Sequence, residues 1–89
     1  MLRREITIVN KLGLHARAAA KFVTLASRFN SDVRLARGSR EVNGKSIMGV
    51  MMLAAAKGAV LELIVDGGDE REAVAALEQL VRDRFGEAE

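Results

Sequence analysis

Hydrophobic and polar residues alternate along the first positions of the chain. Leu2, Ile6 and Ile8 are apolar, whereas Arg3 and Glu5 between them are charged. Because successive side chains of a strand point to opposite faces, this period of two predicts a strand with one buried face. Similar short runs predict three more strands, marked by Val33 and Leu35, by Val42, and by Leu61, Leu63 and Val65.

Three segments between and after these strands have helical spacing instead. The first is predicted to run from Ala16 to about Phe29, the second from near Ser46 to about Ala56, and the third to open at a capping box, Asp69–Glu72. The apolar stripes of the first and third helices are Ala19, Phe22, Val23, Ala26 and Phe29, and Ala73, Val74, Leu77, Leu80 and Val81.

The resulting order, βαββαβα, predicts an α+β fold in which helices cover one face of a sheet. A chain of 89 residues is expected to form a single domain over residues 1–89. The sequence has no cysteine and only one histidine, which gives no metal constellation, and we expect no cofactor. No apolar run is long enough for a membrane span or a signal core, so we expect a cytoplasmic protein without membrane insertion.

Charge divides unevenly along the chain. Residues 1–46 carry ten Lys/Arg against three Asp/Glu, a net of +7, whereas residues 47–89 have a net of −5. This polarity suits an acidic partner surface, although a solvated face explains it equally well. A small basic nucleic-acid-binding module is a weaker alternative, because three Phe and no Tyr or Trp leave little surface for base stacking.

The single histidine, His15, lies where a loop turns into the first helix. No Ser, Thr, Asp or Asn occurs between Leu12 and Ala20 to cap that helix, so its first N–H groups are predicted to be free for a phosphate. A neutral imidazole is a competent nucleophile near neutral pH, and Arg17 is close enough to neutralise phosphate oxygens. A surface histidine without function is the alternative.

The second helix is apolar on nearly all sides. If Val50, Leu53 and Ala54 face the sheet, an exposed apolar patch remains, and methionine suits surfaces that meet several partners. The alternative is that the methionines fill gaps in the core. The patch consists of Ile47, Met48, Met51 and Met52.

A phosphate-binding loop is excluded in the segment that precedes this helix. Gly44-Lys45-Ser46 ends like a Walker motif, but that motif requires glycine where the chain has Ser39. Ser46 is predicted to cap the second helix through its hydroxyl.

Two motifs in register resemble the HPr family, the histidine-containing phosphocarriers of the bacterial sugar phosphotransferase system. They are Gly13-Leu14-His15-Ala16-Arg17 and Lys45-Ser46-Ile47-Met48-Gly49. The resemblance covers almost the whole chain. It implies an open-faced sandwich, with a four-stranded antiparallel sheet of order 1-4-2-3 and three helices on one face.

The resemblance also implies a function, that of a carrier which is itself the phosphohistidine intermediate rather than an enzyme. Nδ1 of His15 would accept a phosphoryl group from enzyme I and pass it to the A component of a sugar permease. Arg17, with the backbone at Ala16, Arg17 and Ala18, would stabilise the phosphate. A carrier of the nitrogen-regulatory branch, or a purely regulatory one, would have the same site and remains an alternative.

Further residues correspond to regulatory and docking positions of the family. Ser46 matches the serine that a kinase/phosphorylase modifies in many relatives, and some relatives keep the serine without the kinase. We expect a monomer. The expected docking residues are Ala20, Lys21, Thr24, Ile47, Met48, Met51 and Met52.

The chain departs from the family at one position of the motif. Relatives usually have proline directly after the arginine, whereas this chain has Ala18. Alanine restores a backbone N–H at the helix start and leaves the unfolded chain more freedom. The departure leaves the subfamily open.

Overall fold

The computed structural model describes all residues, Met1–Glu89, and contains one four-stranded sheet. Its order is β1-β4-β2-β3 and all pairs are antiparallel, which confirms the expected topology. The strands are β1 (Leu2–Thr7), β2 (Asp32–Arg37), β3 (Arg40–Asn43) and β4 (Val60–Asp66).

Three helices cover one face of this sheet, as expected for an open-faced sandwich. Alternate strand residues and the apolar helix stripes form a single cluster of 20 buried residues between the two layers. None of the helices is both long and apolar enough to cross a lipid bilayer. The helices are α1 (Ala16–Ala26), α2 (Ile47–Met51) and α3 (Glu70–Arg82), and a 3₁₀ turn, Arg84–Gly86, follows α3.

The first helix is shorter than predicted: it ends at Ala26 and not at about Phe29. The N–H of Arg28 donates to the carbonyl of Leu25 (3.1 Å), and that of Phe29 donates to Ala26 (3.2 Å). These bonds span three residues, so the chain tightens there and leaves the helix. Phe29 still packs against the core.

The second helix is also shorter, and the prediction that it reaches Ala56 is wrong. After Met51 the N–H groups of Leu53 and Ala54 bond three residues back, and Ala54 adopts a left-handed φ of 49°. A residue in that conformation ends an α-helix.

This early stop changes which side chains face the core. Val50 and Leu53 are buried as predicted, but Ala54 is exposed and Ala55 is buried instead. Arg37 on β2 fixes the stop, since its Nη1 donates to the carbonyls of Leu53 and Ala54 (2.9 Å each).

The capping box predicted at the start of α3 does not form. Asp69 makes no side-chain bond to its own helix and instead accepts from the N–H groups of Asn30 (2.8 Å) and Ser31 (3.0 Å) and from the Ser31 hydroxyl. The hydrogen bond from that hydroxyl is the main reason why the pKa of the Asp69 carboxyl is lowered. Asp69 therefore ties α3 to the loop before β2.

Candidate functional site

His15 is the N-cap residue of α1 and has extended backbone angles, φ −70° and ψ 176°. Its side chain makes no capping bond to the helix. The first backbone N–H of this segment that finds an acceptor is that of Ala19, which donates to the His15 carbonyl (2.9 Å). The N–H groups of Ala16, Arg17 and Ala18 have no acceptor in the protein. The helix start therefore offers three donors and the positive end of its dipole to an anion.

The side chains around these donors differ in exposure. Arg17 is exposed and lines the same open pocket as His15 and Ala16. The side chain of Ala18 is fully buried, so this residue can reach a phosphate only through its backbone. Three of the predicted phosphate-binding groups thus lie together with the histidine.

The loop before His15 is held by backbone contacts with the segment after α2. The N–H of Leu14 donates to the Ala55 carbonyl (2.9 Å). Gly13 has a left-handed φ of 70°, and a Cβ there would collide with the carbonyl oxygen of Ala55. The glycine therefore allows close approach of two backbone segments, which sets the position of the histidine loop.

The C-terminal tail returns over this site. Phe85 is fully buried, and its carbonyl accepts from Nζ of Lys21 on α1 (2.8 Å). Farther along, the main-chain oxygen of Glu89 accepts from the N–H of Lys11 (2.8 Å). The tail and the histidine loop together line one pocket, which includes Lys11, Leu12, His15, Ala16, Arg17, Gly86, Glu87, Ala88 and Glu89.

Glu87 on this tail contacts the histidine directly. Its Oε2 is hydrogen-bonded to Nε2 of His15, and its Oε1 accepts from Nδ2 of Asn10 (2.9 Å). The hydrogen bond from Asn10 is the main reason why the pKa of the Glu87 carboxyl lies below its ordinary value. The hydrogen bond from His15 and the charges of His15 and Arg17 act in the same direction, and desolvation opposes them.

Sequence reasoning did not find Glu87 or Asn10. Glu87 is separated from His15 by 72 positions and lies in an acidic tail without periodicity. Asn10 is fully buried, yet asparagine in a loop usually indicates only a turn. A contact of this kind is set by the path of the tail after α3, for which no local pattern exists.

Ser46 caps α2, as predicted. Its Oγ accepts from the N–H of Gly49 (3.1 Å), and its backbone is extended, with φ −117°. The preceding Lys45 donates from Nζ to the carbonyl of Phe29 (2.8 Å). The cap thus satisfies one N–H at the start of α2, that of Gly49, whereas those of Ile47 and Met48 have no acceptor in the protein.

The predicted apolar patch on α2 is exposed, which excludes a role for these side chains as core fillers. Met48 is 71% exposed and Met52 is 58% exposed. The patch of Ile47, Met48, Met51 and Met52 lies on a helix that packs against α1. The other expected docking residues, Ala20, Lys21 and Thr24, lie beside Arg17 along a shallow groove on α1.

Comparisons with known proteins agree with this architecture. The family model described as the PTS HPr component phosphorylation site matches residues 2–83. The phosphocarrier protein HPr of Neisseria meningitidis is 58% identical and that of Cupriavidus necator is 57% identical, each over 89 residues that cover both chains completely. A crystal structure of HPr from Thermoanaerobacter tengcongensis superposes with a TM-score of 0.96 at 46% identity and covers both chains completely. The chain therefore belongs to the HPr family, the phosphocarrier proteins of the phosphotransferase system.

Proposed function

We propose that this chain carries phosphoryl groups on His15, which it accepts from phospho-enzyme I and donates to the A components of sugar permeases. The observation that carries the proposal is the uncapped start of α1, where a histidine adjoins three backbone N–H groups without an acceptor. In this role the chain is a covalent intermediate rather than an enzyme. We also propose that it acts as a monomer in the cytoplasm, because a carrier must expose one surface to several partners in turn.

The chemistry follows from the groups at this helix start. The lone pair of one imidazole nitrogen of His15 attacks phosphorus, and the bond from phosphorus to its donor breaks, with the electron pair returning to the donor. The phosphate oxygens then meet the N–H groups of Ala16, Arg17 and Ala18 and the guanidinium of Arg17. These groups stabilise the charge during acceptance and again during donation.

The partner surface is proposed to combine the patch on α2 with the groove on α1. Exposed apolar side chains supply a desolvated centre, and the cations of α1 surround it. The proposal predicts that Met48→Glu weakens binding to enzyme I by about 10-fold or more, because charge is disfavoured at the centre of an interface. Titration of the variant by calorimetry measures this. Thermal melting serves as the control, and a large fall in melting temperature would place Met48 in the core instead.

Ser46 is proposed as a regulatory site for a kinase/phosphorylase of the HPr type. Ser46 is half-buried at the start of α2, beside the patch residues Ile47 and Met48. A phosphate there would change the charge of the docking surface. Incubation with such a kinase and ATP should add an acid-stable phosphate that is absent from Ser46→Ala.

The carrier function is tested with enzyme I and phosphoenolpyruvate. Intact-mass measurement before and after mild acid should detect one acid-labile phosphate on the wild-type chain and none on His15→Ala. The reaction without enzyme I is the control. Absence of acid-labile phosphate from the folded wild-type chain would contradict the proposal.

A further inference from the structure

The carboxylate of Glu87 faces only one of the two ring nitrogens of His15. Oε2 of Glu87 is hydrogen-bonded to Nε2, and Nδ1 has no hydrogen-bond partner in the protein. An ionised carboxylate can only accept hydrogen bonds, so the nitrogen that faces it must bear the proton. In a neutral imidazole the other nitrogen then keeps its lone pair.

The carboxylate is held in place rather than free to swing in solvent. The side chain of Glu87 is 12% exposed, and the tail before it is anchored by the buried Phe85. Nδ2 of Asn10 donates both to Glu87 and to the carbonyl of Gly13 (2.8 Å). Because both partners are acceptors, the NH₂ group of Asn10 must face them, even though this leaves its buried Oδ1 without a partner, and the amide thereby holds Glu87 Oε1.

We propose that Glu87 is a positioning residue for phosphoryl acceptance, which holds the proton of His15 on Nε2 and presents the Nδ1 lone pair to the incoming phosphorus. This inference rests on the carrier function proposed above. It assigns a role to a side chain that lies outside both of the sequence motifs that resemble the family.

The same contact stabilises the product. When Nδ1 forms its bond to phosphorus, the bond from phosphorus to the donor breaks and the donor keeps that electron pair. The proton stays on Nε2, so the ring becomes positively charged, and the carboxylate of Glu87 lies against that charge. A buried carboxylate has an equivalent effect on the histidine of a Ser-His-Asp triad, where it holds the tautomer and stabilises the imidazolium.

The test is Glu87→Gln, with Glu72→Gln as the control, because Glu72 is an exposed glutamate on α3 outside the histidine pocket. A glutamine at position 87 has one oxygen and one NH₂ group. Nδ2 of Asn10 donates a hydrogen bond to the oxygen of this glutamine. The NH₂ group of the glutamine then faces Nε2 of His15, which favours a proton on Nδ1. Glu87→Ala removes the carboxylate without a replacement, so that Nε2 of His15 is hydrated.

Two measurements read the effect. Nitrogen-15 NMR of His15, at a pH where the ring is neutral, should show the proton on Nε2 in the wild type and a shift towards Nδ1 in Glu87→Gln. Phosphoryl acceptance from enzyme I should slow by roughly 10-fold or more in Glu87→Gln, because the wrong tautomer has no lone pair on Nδ1, and by less in Glu87→Ala. Glu72→Gln should match the wild type in both measurements.

Three outcomes would overturn the proposal. The first is a wild-type ring with its proton on Nδ1, which needs no variant to observe. The second is acceptance by folded Glu87→Gln at the wild-type rate, and the third is attachment of the phosphoryl group at Nε2. None of these outcomes contradicts the carrier function, because the wild-type chain still takes up acid-labile phosphate. Absence of that phosphate would overturn both proposals.

Discussion

The starts of α1 and α2 present the same physical problem and differ at their third backbone N–H group. Both helices begin with unpaired N–H groups. At α2, the hydroxyl of Ser46 accepts from the N–H of Gly49 (3.1 Å), which satisfies one donor, while the N–H groups of Ile47 and Met48 have no acceptor. At α1, His15 occupies the cap position without a capping bond, and the donors that follow have no acceptor.

The capped third donor stabilises α2, whereas α1 keeps all three of its first donors free. A serine cap typically contributes about 0.5–2 kcal/mol to a helix or protein. A histidine at the same position forgoes that gain and leaves the donors available to an anion. The cost is tolerated because Ala19 and Phe22 bury the other side of α1 in the core.

The largest expected effect comes from removing the histidine. His15→Ala should abolish phosphate acceptance, because the nucleophile is lost, while the protein stays folded and loses about 0.5–1.5 kcal/mol of stability with the hydrogen bond to Glu87. Intact-mass analysis with enzyme I and thermal melting measure the two effects. Acid-labile phosphate on the variant would show that the accepting residue is another one.

A smaller effect is expected for the cation beside the open helix start. Arg17→Ala should slow phosphoryl acceptance by about 10- to 100-fold, because one charge-assisted contact is lost while the backbone donors remain. Quenched-flow assays with phospho-enzyme I measure the rate of phosphoryl transfer. Arg71→Ala, an exposed cation on α3 outside the proposed docking surface, is the control and should transfer normally. Equal rates for the two variants would remove Arg17 from the site.

At the start of α2, which Ser46 caps, we expect an added negative charge to weaken docking without unfolding the helix. Ser46→Asp should keep α2 folded, since a negative charge is favourable at a helix start, but slow acceptance at His15 several-fold because it adds charge to the docking patch. The control, Ser46→Ala, should cost about 0.5–2 kcal/mol of stability and transfer normally. Calorimetric titration against enzyme I measures the affinity of both variants. Unchanged binding by Ser46→Asp would leave Ser46 as a cap alone.

The smallest effect concerns the position where the family usually has proline. Ala18→Pro should raise stability by about 0.4–1 kcal/mol, because the Ala18 N–H bonds to nothing in the protein and proline restricts the unfolded chain. Chemical denaturation measures it. Ala19→Pro is the contrasting control, since it removes the bond to the His15 carbonyl, and it should be clearly destabilising. Destabilisation by Ala18→Pro would mean that the buried site of Ala18 has no room for the ring.

The sequence by itself determined the order of strands and helices, the loop-to-helix position of His15 and the cap at Ser46. These features depend on contacts within one turn of helix or on one strand period, so the residues involved are close together in the sequence. The sheet order came from the resemblance to a family, because strand pairing is not visible in local periodicity. The exposure of the α2 patch was one of two alternatives, and only burial in the fold decided between them.

The tertiary structure alone decided where α2 ends, what Asp69 binds and what covers the histidine. Asp69 lies 38 positions from Ser31, and Glu87 lies 72 positions from His15. The sequence around a carboxylate near a helix end is the same whether that carboxylate caps its own helix or accepts from a distant donor. The choice depends on which donors the packed chain brings within hydrogen-bond distance, and that is fixed only when the sheet, the helices and the tail have assembled.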